Sequence, residues 1–302
     1  MWFRTNPLDF QRRDYTYESA NKPKKVAANP LTWLSINIGL CAFSLIVLAG
    51  SVLRTSCLAP EDTRSLLKQT LGPSPMFDRL NIGLVTKRMN ATLLPSPTDE
   101  IFRSEPGPEV DQAWRRISNE RPIAISREEV IAIGKDPDQA VRYPESFGLG
   151  EAYAARIDVF HQIHCLDALR REAYFDHYYG DKYPTFNATT KLHKAHLSHC
   201  IYYLLQNIMC QANVDIYTHV WTDTILQPFP DFQISHKCKD FDAILDWQEQ
   251  NSLDLHKFYK LRKPEGSGPA LKMSSEFQEL WKGYDFFNHD ADHHGGSGDN
   301  IG

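Results

Sequence analysis

The sequence predicts a mainly α-helical protein with a single N-terminal transmembrane helix ahead of a helical domain, joined by irregular or short-strand connections. Three observations carry this reading: an uncharged run of 23 residues from Leu31 to Leu53, helical periodicity between residues 151 and 212, and no Gly-rich phosphate loop. With 302 residues and a formal net charge of -5, the chain suffices for one sizeable domain plus appendages, and the charge balance does not suggest a nucleic-acid binder.

Residues 1–30 are polar and read as a disordered tail on the cytosolic side, because they carry six Lys or Arg (Arg4, Arg12, Arg13, Lys22, Lys24, Lys25) against three acids. Residues 31–53 form the anchor, long enough at ~1.5 Å per residue to cross ~30 Å of hydrocarbon. A cleaved signal peptide fits less well, given the long polar leader and an apolar run beyond the usual length. The expected location is therefore a single-pass membrane protein of the secretory pathway with its C-terminal domain in the lumen. The sequons at Asn90 and Asn187, both C-terminal to the anchor, are expected glycosylation sites.

Residues 54–150 are rich in Pro and read as a stalk and loop-rich lead-in, with short helical turns at Val110 to Ile117 and Ser126 to Ile133. The main domain is expected over 151–284. Its first helix would run from Glu151 to about Tyr179 and, after a Gly180-Asp181-Lys182-Tyr183-Pro184 break, its second from about Thr189 to Ala212. Asp215 to Phe232, with Pro228 and Pro230, reads as extended or irregular, Lys239 to Gln250 as an amphipathic helix, and 285–302 as a flexible tail.

The pentapeptide His161-Gln162-Ile163-His164-Cys165 returns 35 residues later as His196-Leu197-Ser198-His199-Cys200. On a helix, positions i, i+3 and i+4 share a face, so each copy presents two imidazoles and a thiol as one cluster. The second helix groups His193, His196, His199, Cys200, Tyr203, Asn207 and Cys210 on one side, with Leu197, Ile201, Leu204, Leu205 and Ile208 on the other, which is expected to pack. Two such helices side by side would bring His161, His164, His196 and His199 to one centre as metal ligands. Imidazole suits several transition metals, and affinity favours copper over iron. Tyr203 and His193 are candidates for a supporting role behind the ligands. His177 reads as a surface residue, and His289, His293 and His294 as part of the flexible tail.

An oxidising lumen favours disulfides, and the expected pairing is Cys165 with Cys200 and Cys210 with Cys238, leaving Cys57 unpaired or intermolecular. The alternative makes Cys165 and Cys200 metal ligands. Cys41 lies inside the anchor.

Three blocks of this chain resemble the fungal UstYa-like family, named for an oxidase of ustiloxin biosynthesis and marked by twin HxxHC motifs. They are Val159-Phe160-His161-Gln162-Ile163-His164-Cys165-Leu166 with Leu169-Arg170; His196-Leu197-Ser198-His199-Cys200 with Met209-Cys210; and His236-Lys237-Cys238-Lys239-Asp240-Phe241-Asp242 followed by Trp247. The family's usual CxAD run stands here as Cys210-Gln211-Ala212-Asn213, with Asp215 as a substitute carboxylate, and Leu205 stands where the family commonly has Arg.

The resemblance implies membrane-anchored, metal-dependent oxidation of a secondary metabolite, often a peptide, with dioxygen as co-substrate: oxidative macrocyclisation, or hydroxylation or chlorination. The implied partners are a small-molecule or peptide substrate, the bilayer and, as an open alternative, a second copy or a related protein. Two rival classes remain. One is a helper or scaffold protein holding a structural metal. The other is zinc hydrolysis, which is disfavoured because Gln162 and Leu197 stand where an HExxH motif needs its general base.

Overall fold

A computed structural model describes residues 30–57, 63–94, 100–266, 268 and 270–282. The expected tails at 1–29 and 285–302, with His289, His293 and His294, lie outside the described residues, as does the side chain of Cys57. The chain divides into two units at Pro60.

The first unit contributes one helix, α1 (Pro30–Cys57), four residues longer at its C-terminal end than the apolar run alone indicates. Its stretch Pro30–Gly50 is the one helix among the described residues that is long and apolar enough to cross a membrane. Ser35 and Asn37 return their side-chain donors to the carbonyls four residues back (Leu31 and Trp33), so their polar groups are satisfied within the helix.

The second unit opens with α2 (Thr63–Leu71), α3 (Met76–Arg79), β1 (Leu84–Arg88), α4 (Pro108–Ser118), β2 (Ile123–Ile125) and α5 (Arg127–Ala132). Sequence dictates several of these starts. Pro108 occupies the first turn of α4, with Glu109 and Asp111 at its positive end and Arg115 and Arg116 at its negative end. Ser126 and Glu129 form a reciprocal capping box at α5. The lead-in is no stalk: Leu67, Met76, Phe77, Ile82, Ile123, Ile125 and Val130 supply most of the core cluster, with Tyr153, Phe160, Ile244 and Leu245 from the rest of the chain.

The expected first motif helix is interrupted. Glu151 to Ile157 is not helical: β3 (Tyr153–Ala155) pairs antiparallel with β2 and buries Tyr153 in the core, so strand pairing overrides the local helical preference of the Ala-rich stretch. Helix then runs as α6 (Asp158–Ala173) and, after a break at Tyr174, as α7 (Phe175–Tyr179). The second motif helix is α8 (Lys191–Gln211), begun by the Thr190 hydroxyl accepting from the His193 amide and ended by Ala212 in the left-handed region at φ 39°.

Asp215 to Phe232 is irregular apart from two short strands, within the extended or irregular reading, with β4 (Thr218–Val220) and β5 (Phe229–Asp231) pairing antiparallel. The chain closes with β6 (Ser235–Lys239), which pairs with β1, then α9 (Phe241–Asn251), α10 (Leu255–Tyr259) and α11 (Ser275–Leu280). Asp240, Asp254 and Ser274 cap these last three helices.

Helix α6 packs along α8 on one side and against α4 on another. A buried ionic knot fixes the second contact. Asp167 accepts from Arg170 at 2.7 Å and Arg171 at 3.1 Å, Arg170 reaches Asp111 of α4 at 3.1 Å, and Arg170 stacks over Trp114. The far side of α8 differs from expectation. Leu197 is buried, but Ile201 is 56% exposed and Ile208 69% exposed, and Leu205 is exposed as well. The polar, motif-bearing side faces α6, while Ile201, Leu205 and Ile208 of the apolar side are exposed among the described residues.

Candidate metal centre

Helix geometry and the α6–α8 packing bring the two motifs face to face. The four rings stand at the corners of a quadrilateral, with centroid distances of 6.0 Å for His161–His164, 5.6 Å for His164–His196, 6.5 Å for His196–His199 and 5.7 Å for His161–His199. The Nε2 atoms of His161 and His199 approach to 3.4 Å. Pairs along one helix are stacked and pairs across the helices are tilted.

Behind each first histidine sits a cysteine. Cys165 Sγ lies 3.8 Å from His161 Nε2 and Cys200 Sγ lies 3.6 Å from His196 Nε2, both sulfurs at 0% exposure. The two thiols also hydrogen-bond to each other across the helix pair. That contact and burial push the Cys165 thiol up, while receiving the bond draws Cys200 down. Cys165, Cys200, Cys210 and Cys238 are all free cysteines here, so neither expected disulfide is formed. Cys165 and Cys200 are neighbours nonetheless. Cys210, at the exposed end of α8, and the half-buried Cys238 of β6 make no such pair.

A residue that sequence reasoning missed completes the site. Glu120, in the loop after α4, accepts from His161 Nδ1 at 2.5 Å and from Arg156 at 2.7 Å. A carboxylate on Nδ1 fixes the tautomer and turns Nε2 to the centre. Burial pushes the Glu120 carboxyl up, but the His161 hydrogen bond and the charges of His164, His161 and Arg156 outweigh it and hold it at about 2. His161 is raised to about 10 by its hydrogen bonds to Cys165 and Glu120, against its own burial. His196 and His199 are lowered by burial and by the charge on His161, which favours the neutral, ligating form.

Tyr203 lies against this cluster, edge-on to His161 at 4.9 Å and stacked on His199 at 5.7 Å. Its hydroxyl donates to Asp158, and burial together with that carboxylate pushes it up to about 12. His193 stands one turn before His196, hydrogen-bonded to Glu172 at 3.1 Å and edge-on to Tyr179 at 5.0 Å. His177 is exposed beside Tyr178. Asn213 and Asp215 both engage His236, so the carboxylate two residues past Asn213 has a partner of its own. Asn90 and Asn187 are exposed.

The residues present fit a transition ion. Two imidazole nitrogens 3.4 Å apart stand close to the separation of two ligands held ~2.0–2.1 Å from one ion. The ligand atoms of His161, Cys165 and His199 all lie within 4.8 Å of one another. A cleft of about 1500 Å³ opens on His164, His196 and His199, with Tyr178, Tyr179, Tyr183 and Tyr259 on its walls and Phe277 and Trp281, on and just after α11, facing them.

Residues 19–251 match the family described as mycotoxin biosynthesis protein UstYa. Among curated relatives, the UstYa family oxidase aprY of Aspergillus flavus is 40% identical over 198 residues, 63% of this chain and 59% of that protein, so the chain spans about three fifths of its length. The UstYa family oxidase phomYc of Diaporthe leptostromiformis is 27% identical over 231 residues, 76% of this chain and 88% of that protein. The hydroxylase cctR of Talaromyces islandicus is 28% identical over 127 residues, 41% of this chain and 44% of that protein. No solved structure matches. With 19–251 covered and the twin motifs inside that span, the chain belongs to the UstYa family.

Proposed function

We propose that this chain is a membrane-anchored oxidoreductase that tailors a secondary metabolite, in which His161, His164, His196 and His199 hold a transition metal, copper in preference to iron. The observation that carries the reading is the 3.4 Å approach of His161 Nε2 to His199 Nε2 inside a ring of four imidazoles that borders a large cleft. Relatives named oxidases and a hydroxylase support the reaction class. A bound copper would supply one-electron redox chemistry and a place for dioxygen to react.

The chain's own residues prepare that chemistry. Glu120 holds the proton of His161 on Nδ1 and leaves Nε2 as the donor atom. The buried sulfurs of Cys165 and Cys200 close the inner side of the site. The tyrosine-rich cleft accepts the substrate, and its mixture of aromatic rings with Arg156, Lys182 and Glu276 suits a peptide or a similarly amphipathic small molecule. Anchoring rests on the apolar stretch Pro30–Gly50, and the placement of the catalytic unit in the lumen rests on the basic 1–30 segment and on the exposure of Asn90 and Asn187.

Metal analysis and oxygen uptake of the purified full chain test this. One equivalent of a redox-active metal, lost in His196→Ala together with any oxygen-dependent turnover, is expected. A spectroscopically silent zinc with no oxygen uptake would instead favour the helper protein.

A further inference from the structure

Tyr203 stands on α8 one turn beyond His199, and its ring touches both members of the close histidine pair, edge-on to His161 at 4.9 Å and stacked on His199 at 5.7 Å. It does not belong to the cleft. The part of α8 that lines that space runs from Lys191 to His199, and neither Tyr203 nor Asp158 lines it. The Tyr203 hydroxyl instead donates to the carboxylate of Asp158, in the first turn of α6. Asp158 is exposed, so the acceptor sits between the phenol and bulk water.

The carboxylate is braced as well. Gln162 donates to its second oxygen at 2.7 Å and to Asn207 Oδ1 at 3.1 Å, so a residue of the first motif ties Asp158 to the helix that carries Tyr203. This gives position 162, which holds no general base, a task outside the ring of histidines.

A phenol gives up an electron near neutral pH only when its proton has somewhere to go, because the radical cation left behind is a far stronger acid than the phenol. Both partners are in place here. Ring contacts lead from Tyr203 to two of the candidate ligands, and a hydrogen-bonded carboxylate facing water can take the proton. A tyrosine that only fills space needs the first of these and not the second.

We propose that Tyr203 is a relay that donates one electron to the metal centre while its phenolic proton passes to Asp158. The proposal rests on the metal reading above. The step leaves a neutral tyrosyl radical, a protonated Asp158 and a centre richer by one electron. A soluble hydrogen-atom donor of the ascorbate class then restores the phenol. Electrons thus enter away from the cleft, with the substrate in place.

The test mixes the full chain in detergent, loaded with copper and reduced, with hydrogen peroxide under argon, read by stopped-flow absorption and by electron paramagnetic resonance of samples frozen during the reaction. Peroxide takes one electron from the reduced ion and one from Tyr203 and, with the phenolic proton and one from solvent, becomes two waters. A copper-dependent tyrosyl signal is expected, absent in Tyr203→Phe at unchanged copper content and formed about 100-fold more slowly in Asp158→Asn. No tyrosyl signal in a chain that holds copper overturns the relay and leaves the metal reading standing. A signal that survives Tyr203→Phe also overturns it, since the radical then sits on another tyrosine, and an unslowed Asp158→Asn overturns the proton path. A chain that binds no copper overturns the metal reading and the relay together. A fluorotyrosine placed at position 203 keeps both contacts and adds fluorine splitting to the signal, so the assignment is decided even where a variant fails to fold.

Discussion

Glu120 and His161 are 41 residues apart in the sequence and 2.5 Å apart in space, bound carboxylate to imidazole Nδ1. Through this pair, a loop in the Pro-rich lead-in orients a histidine of the motif helix. Replacing Glu120 by Gln keeps the shape and removes the charge. Metal affinity measured by chelator competition is expected to fall about 10–100-fold. An unchanged affinity would show that His161 needs no orienting partner.

The four histidines should act as a unit. His196→Ala or His161→Ala is expected to abolish stoichiometric metal binding, read by elemental analysis. His177→Ala, at an exposed position beside Tyr178, should bind as the wild type does. Retention of a full equivalent in His196→Ala would move the ligand set elsewhere.

With metal removed, stability should depend on pH from two sides. Glu120, held at about 2 against ~4.3 in an unfolded chain, contributes stability that is complete above pH ~4.3 and is lost as pH falls toward about 2. His161, raised to about 10 against ~6.5 unfolded, contributes stability that is complete below pH ~6.5 and is lost as pH rises toward about 10. Urea midpoints of the stripped full chain should therefore peak between about pH 5 and 6. Glu120→Gln should weaken both limbs.

The ionic knot between α4 and α6 is structural. Asp167, buried beside Arg170 and Arg171, leaves Arg171 without its carboxylate and Arg170 with that of Asp111 alone when changed to Ala. A loss of about 3–5 kcal/mol is expected by denaturant unfolding. A loss below about 1 kcal/mol would mean that water replaces the carboxylate at little cost.

Much of the site was legible because helix geometry is rigid: the i, i+3, i+4 spacing of His161, His164 and Cys165 can present only one face. Ser126 and Glu129 likewise announced α5 through capping chemistry that needs no distant contact. Glu120 left no such signal, since its role arises from α4 packing on α6. The strand Tyr153–Ala155 was hidden for the same reason, its partner being Ile123–Ile125. Periodicity identified an apolar side of α8 at Ile201, Leu205 and Ile208, but a pattern within one chain does not say what that side meets.

The family span ends at residue 251, yet α11, at Ser275–Leu280, supplies Phe277 to the cleft wall facing the histidines, with Trp281 just beyond it. The chemistry is thus encoded within the family span, and one wall of the space that receives a molecule outside it. Evolution can rewrite the second without disturbing the first, so kinship along the histidine helices says little about which compounds two such proteins share.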